Sequence, residues 1–423
     1  MSLCLTPRIE SLTSQVTGRR QSFFAPALAA LAKRPVAQVA GARILVAGGA
    51  GSIGSATIQE LVAQGPAALA VLDPSENNLA ELLRTLRSGS VPAPASLDVQ
   101  PLDYGSQLAR RWLERQKPFD LVLSFAALKH VRSERDEFSL LRMLEVNLVA
   151  ADRFLAACRQ IGHGKNGVFL VSTDKAADPV SLMGASKRAM ELLLWAHTVP
   201  GAPASLIDGG TADALTRATS VRFANVAFSD GSLPWGFLQR LEKRQPLAGP
   251  SDIRRYLVSP REAGQLCLLA ALGAPHRHVL IPELDPKRDT VTFRAIADAV
   301  LAERGLRPVE YSDAAAARAA VDRDIANGGW PVVFLPSDTS GEKDIEVFAA
   351  PNEATTACGL PGCLAIPGLS PNQQALSELL TLIDGCCRLG QPVPDKPTLT
   401  NAMSLVVREL RHHEAGRSLD SKM

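Results

Sequence analysis

Between residues 43 and 223, short runs of uninterrupted apolar residues alternate with longer amphipathic stretches. Residues 43–48 (RILVAG), 69–73 (LAVLD), 120–125 (DLVLSF), 167–172 (GVFLVS) and 220–223 read as strands, and their unbroken apolarity fits burial on both sheet faces. Residues 52–64, 77–87, 140–160 and 186–196 carry apolar side chains at three- and four-residue spacing and read as helices. This alternation predicts an α/β fold, a doubly wound parallel sheet with helices on its faces.

After Pro234 the pattern loosens. Helices over 235–243, 260–272 and 293–304, with strands at 278–281 and 331–335, predict a smaller α/β lobe that would bind substrate. Ahead of the first strand, Phe23, Phe24, Ala27, Leu28 and Leu31 fall at helical spacing and predict a leading helix or two. Two more helices are expected near 374–389 and 398–413, with His412 and His413 at a solvated end. Residues 202–219 are polar and read as an exposed insertion, and Ala-rich 314–320 as an exposed helix. The expected organisation is a helical extension over 1–40, a main sheet domain over 41–233, a lobe over 234–350 exchanging strands with it, and a helical extension over 351–423.

The chemistry begins at the first turn. Gly48-Gly49-Ala50-Gly51-Ser52-Ile53-Gly54 follows a buried strand and opens a helix, the context a Rossmann-type dinucleotide fingerprint requires. Residues without Cβ let the backbone reach a pyrophosphate, which sits where the amides of a helix N-terminus are unpaired. The second strand ends in Asp73, a carboxylate suited to the adenosine ribose hydroxyls and repellent to a 2′-phosphate. NAD is therefore expected over NADP.

Composition narrows the classes. In 423 residues, 46% hydrophobic and 21% charged residues are ordinary for a globular protein, and a net charge of +2 gives no field for nucleic acid. Seven scattered cysteines (Cys4, Cys158, Cys267, Cys358, Cys363, Cys386, Cys387) fit reduced thiols rather than a disulfide framework. The last four lack zinc-motif spacing, so no metal is expected. Residues 1–9 lead into polar sequence rather than an apolar core, and 23–40 is broken by Lys33, Arg34 and Pro35. Neither a signal peptide nor a membrane span is expected, and the localisation read from this is cytoplasmic.

Three further segments sharpen the picture: Ala126-Ala127-Leu128-Lys129-His130-Val131, Ser172-Thr173-Asp174-Lys175-Ala176 and Met183-Gly184-Ala185-Ser186-Lys187. In this order behind the glycine turn, they closely resemble the nucleotide-sugar 4,6-dehydratases of polysaccharide biosynthesis, nearest the UDP-N-acetylglucosamine 4,6-dehydratases within the extended short-chain dehydrogenase/reductase superfamily. Asp73-Pro74-Ser75-Glu76-Asn77-Asn78-Leu79, Arg222-Phe223-Ala224-Asn225-Val226 and Asp252-Ile253-Arg254-Arg255-Tyr256 share the likeness. It covers about residues 41–275, with a faint echo at Gly341-Glu342-Lys343.

The resemblance implies a redox cycle on a nucleotide sugar, with UDP-N-acetylglucosamine as the expected substrate. Hydride leaves C4 for NAD, water is lost across C5 and C6, and the hydride returns to C6. It implies cofactor contacts at Gly48, Gly51, Ser52, Ile53, Gly54, Asp73, Ser75, Asn78, Asp103, Ala126 and Lys187, and substrate contacts at Lys129, His130, Asn225 and Arg255. Thr173, Asp174, Lys175, Met183 and Lys187 would form the catalytic group. Asp174 would be the acid at the C6 oxygen. Lys175 would be the C5 base, provided burial or a cationic neighbour lowers its pKa. Met183 stands where short-chain dehydrogenases carry a tyrosine, which moves the first proton transfer to Thr173, Asp174 or a water. Asn147 reads as structural. A homo-oligomer is expected from the family. An epimerase or oxidoreductase of the same superfamily, and a non-catalytic binder of NAD and nucleotide sugar, are the alternatives.

Overall fold

The computed structural model describes residues 7–34, 39–89, 91–129, 134, 136–337, 345–388 and 390–412. The apolar runs pair into one sheet. β1 (Arg43–Ala47), β2 (Ala68–Leu72), β3 (Ser96–Gln100), β4 (Leu121–Ser124), β5 (Gly167–Val171) and β6 (Ala218–Val221) are mutually parallel. β7 (Asn225–Val226), β8 (Leu247–Pro250) and β9 (Arg254–Val258) leave that sheet, and β10 (His278–Pro282) rejoins it beside β6. β11 (Thr290–Thr292), β12 (Arg307–Glu310) and β13 (Gly329–Leu335) lie outside again, in two three-stranded sheets ordered β11-β9-β7 and β12-β13-β8. Among the described residues, β14 (Thr356–Ala357) and β15 (Cys363–Pro367) complete nine strands in the order β14-β15-β10-β6-β5-β4-β1-β2-β3.

The helices are α1 (Pro7–Thr17), α2 (Ala25–Leu31), α3 (Ser52–Val62), α4 (Glu76–Ser88), α5 (Gln107–Leu113), α6 (Glu137–Leu144), α7 (Ala150–Ile161), α8 (Leu182–Ala196), α9 (Leu233–Glu242), α10 (Pro260–Gly273), α11 (Phe293–Glu303), α12 (Ala314–Ala326), α13 (Gln373–Cys386) and α14 (Lys396–Val406). Local sequence sets many of their starts. Ser75, Ser106, Asp136, Ser181, Ser232 and Ser259 each accept the amide three residues on, and Glu262 closes a capping box with Ser259. A wide π turn over Glu145–Val149 joins α6 to α7. Chain order reverses between β1 and β4, so the crevice beyond their C-terminal ends is the ligand position of such a sheet. α3, which the glycine turn opens, lies hard against α10: a Cβ on Gly264 would stand 2.7 Å from the Ala56 backbone.

Four expectations are corrected. Residues 202–219 are not an exposed insertion: Ala204, Ser205, Leu206 and Leu215 are buried. Arg159 explains this, donating to the carbonyls of Ala202, Pro203, Ala204, Ala212 and Asp213 at 2.7–3.3 Å, so one guanidinium satisfies the loop's buried backbone. The C-terminal region is not solely helical, because β15 adds antiparallel to β10 and buries Ala365 and Ile366. α12 is exposed on one side only, since Ala317 and Ala320 are buried. His412 is half-buried and not at a helix end: its Nε2 stands 3.5 Å from Glu134, and α14 ends six residues earlier at Val406. His413 lies outside the described residues.

One ion-pair network crosses the core. Arg222, fully buried just after β6, donates Nε and Nη2 to Glu191 of α8 at 2.8 and 2.7 Å, and Nη1 to Glu353 at 2.6 Å and to the Phe348 carbonyl at 3.1 Å. Arg188 of α8 reaches Glu191 at 2.9 Å and Glu353 at 2.7 Å. Two carboxylates thus offset the desolvation of two guanidinium groups.

Arg159→Ala strands five carbonyls and should cost about 3 kcal/mol or more in urea unfolding; a loss under about 0.5 kcal/mol would contradict the role given to it. Glu353→Ala leaves Arg222 partly unpaired and should cost about 3–5 kcal/mol, read as a lower midpoint with the urea slope unchanged.

Candidate functional site

The glycine turn is built by close approach. Gly48 has φ +68°, and a Cβ there would stand 2.5 Å from the Ala126 amide nitrogen. A Cβ on Gly54 would meet the Gly48 carbonyl oxygen at 2.5 Å. Gly51 occupies the N-cap of α3 and offers its first-turn amides no side-chain acceptor. Ser52, the first residue of α3, donates its hydroxyl to Asp230 at 3.3 Å, and Ile53 is half-buried behind it. Asp73 braces the turn from beneath, accepting the Ala50 amide at 3.1 Å and the Ser75 amide at 3.0 Å. Burial pushes the Asp73 carboxyl up in pKa, and those two amides offset part of the rise. Ser75 in turn caps α4 through the Asn78 amide.

The end of β4 is pinned by Asn147, in the π turn. Its side chain accepts the Leu128 amide at 2.8 Å and donates to the Leu128 carbonyl at 3.0 Å and to Ser186 of α8 at 2.9 Å. A structural role, as read from sequence, is what these bonds perform. Lys129, one residue on, is exposed, and His130 lies outside the described residues. Asp103 stands in the loop after β3, accepting the Gly105 amide at 3.1 Å and Arg142 at 3.3 Å, and it lines a cleft of about 910 Å³ between α5 and α7.

Beyond β5, Asp174 takes three donors on one oxygen. Its Oδ1 accepts the Thr173 hydroxyl at 2.7 Å, the Lys175 amide at 2.9 Å and Lys175 Nζ at 3.2 Å. Its Oδ2 is buried and meets no partner, as are Ser124 Oγ at the end of β4 and Asn225 Nδ2 in β7. Buried polar atoms are nearly always paired; Arg43 Nε and Arg188 Nη2, elsewhere in the fold, share this state. Asn225 and Arg255 lie on the parallel neighbours β7 and β9, and the Arg255 charge is felt at Lys175.

Lys187, on α8, is buried with Nζ donating to the Val171 carbonyl at 2.7 Å, and burial pulls its pKa down to about 8 against the pull of Glu191. Met183 is buried one turn earlier, its amide held by Glu134 at 2.9 Å. Lys175 departs from expectation. Burial works to lower its pKa, but Asp174 and then Glu346, whose carboxylate is 3.5 Å from Nζ, outweigh it and raise the value. The condition set for Lys175 as a ready base is therefore not met: the amine is held as an ammonium.

Sequence reasoning missed Glu346 and Ser124. Ser124 carried a usable signal, as the last residue of a buried strand at the switch point. Glu346 carried little, sitting beyond Gly341-Glu342-Lys343, which lies outside the described residues. Among the described residues, no group of three or more His, Cys, Asp or Glu is placed to hold a metal ion, and no helix is long and apolar enough to cross a membrane.

Comparison with known proteins gives the family. The profile of the family described as polysaccharide biosynthesis protein matches residues 44–314. The chain is 30% identical over 267 residues to an uncharacterized membrane protein of Methanocaldococcus jannaschii, covering 63% of this chain and 73% of that one. It is 28% identical over 182 residues to an inverting UDP-N-acetylglucosamine 4,6-dehydratase of Campylobacter jejuni, covering 42% of this chain and half of that enzyme. Among solved structures, Pen from Bacillus thuringiensis superposes with a TM-score of 0.59 at 20% identity, covering 78% of this chain and 90% of that one, a likeness of fold. The chain belongs to the polysaccharide-biosynthesis family, the short-chain-dehydrogenase-type group that includes nucleotide-sugar dehydratases.

Proposed function

We propose that this protein is an NAD-dependent nucleotide-sugar 4,6-dehydratase, with UDP-N-acetylglucosamine as substrate. The observation that carries the reading is Asp174, with one oxygen anchored by Thr173 and Lys175 and the other buried and unpartnered. A group so placed suits proton transfer to a bound molecule. The residues also fit the cofactor: the cradle at Gly48 and Gly54 has no room for a Cβ, and Asp73 is the carboxylate for ribose hydroxyls. When bound, NAD supplies the oxidation at C4 and the reduction at C6, accepting and returning one hydride.

The chain's own groups handle the protons. The Thr173 hydroxyl, bonded to Asp174, passes the proton of the sugar 4-hydroxyl to that carboxylate, the task a tyrosine would perform at Met183. Asp174 then protonates the departing C6 oxygen, which leaves as water. Lys175 serves C5, and must shed its own proton first because it rests as an ammonium. Lys187 orients the nicotinamide ribose, while Asn225 and Arg255 take the diphosphate, for which a guanidinium offers paired donors. Lys129 and Ser124 complete the rim.

Incubation with UDP-N-acetylglucosamine should give a 4-keto-6-deoxy product lighter by one water in mass spectrometry. Asp174→Asn should lower kcat by about 100-fold or more while nucleotide-sugar binding persists. An isobaric product would instead make the protein an epimerase, and no product from a panel of UDP-, GDP- and dTDP-sugars would remove the enzymatic reading.

A further inference from the structure

We infer that Glu346 is a positioning residue of this site, holding Lys175 as a cation at rest and receiving its proton when the amine is needed at C5. The step it serves rests on the dehydratase reading; its hold on Lys175 does not.

The geometry is built rather than incidental. Glu346 is buried, 5% exposed, with Oε1 3.5 Å from Lys175 Nζ, and it arrives from a segment 171 residues further along the chain. That segment is fixed on its far side. The Phe348 carbonyl accepts from buried Arg222, the Phe348 ring packs on Tyr256 at 5.0 Å, and the Ala350 amide donates to Glu353, which Arg222 and Arg188 clamp. Lys175 faces Asp174 and Glu346 as anions and Arg255 as a cation. Asp174 already accepts the Thr173 hydroxyl and the Lys175 amide on the oxygen that meets Nζ. Asp174 is also the group that carries the proton to the C6 oxygen. Glu346 is the second carboxylate within reach of the ammonium.

The proton count closes with it. The Nζ–H bond breaks and the proton passes to Glu346 Oε1, leaving a neutral amine. The amine takes the C5 proton, the C5–H electron pair forms the C5–C6 double bond, and the C6–O pair leaves with the proton from Asp174 as water. After the hydride returns to C6, the proton on Nζ goes back to C5. The proton on Glu346 then returns to the amine and restores the resting ion pair.

The test compares the full-length protein with Glu346→Gln and Glu346→Asp, folding being checked by circular dichroism. Lys175 acylation is measured by peptide mass spectrometry, and turnover of UDP-N-acetylglucosamine is measured across pH. Removing an anion lowers the lysine pKa, so at about pH 8.5 Lys175 in Glu346→Gln should acylate about 10-fold faster than in the wild type. Turnover of that variant near pH 7 should become dependent on buffer concentration, because the lysine proton must pass to solvent, and its pH profile should shift to lower pH with the lysine. Glu346→Asp keeps the charge one methylene further back and should show both changes in smaller measure, which serves if the Gln variant does not fold. Unaltered Lys175 acylation in the folded variants, or turnover at pH 7 that stays independent of buffer concentration, overturns the inference. A wild-type protein that converts no nucleotide sugar counts against the dehydratase reading alone, since acylation needs no substrate.

Discussion

A guanidinium with no access to water lies at the centre of this molecule. Arg222 would be among the costliest groups to bury if left unpaired, and the sheet resolves this by drawing carboxylates from two distant places. Glu191 comes from α8 and Glu353 from the segment beyond β13. Burial opposes ionisation of Glu191, yet Arg222 and then Arg188 outweigh it and hold the carboxyl at about 2. Glu191 also accepts the Ser172 hydroxyl at 2.6 Å, one residue before Thr173. The same ionic knot therefore sets the end of β5, the phase of α8 and the course of the returning chain.

Function is coupled to this constraint by helical spacing. Lys187 lies one turn ahead of Glu191 on α8, so fixing Glu191 fixes where the lysine projects. Gly184 sits against the Lys175 carbonyl, where a Cβ would stand at 2.6 Å, so α8 and the Thr173–Lys175 turn touch without an intervening side chain. Asn147 fastens the β4 end to Ser186 from the other side. Three strand ends thus meet one helix through short, directional contacts.

The legible part of the sequence was the part whose burial is symmetric. β1, β2, β4 and β5 are covered on both faces, so their apolar runs are unbroken and mark themselves. β3 was missed because it is the sheet edge, half-buried, with Ser96, Asp98 and Gln100 in five residues. Residues 202–219 misled for another reason: a polar loop is normally exposed, and a single Arg159 reverses that by supplying the donors water would have given. The site divides along similar lines. Gly48–Gly54, Thr173–Lys175 and Lys187 are legible because their spacing is set within one strand–turn–helix unit. Glu346 and Glu353 act as single residues across long loops, and no local period announces them.

That division bears on how the missing tyrosine is tolerated. Met183 is buried and cannot move a proton, so in the proposed reaction the burden would fall on groups whose protonation is set by neighbours. Thr173 becomes useful only because Asp174 accepts its hydroxyl proton. Asp174 keeps one oxygen open while the Thr173 hydroxyl and the amide and ammonium of Lys175 share its mate. The carboxylates beside Lys175 outweigh its burial and raise its pKa. Each dependence is electrostatic and short-ranged. A buried salt-bridge network, tied to Ser172 through Glu191, lies directly behind the proposed reacting groups.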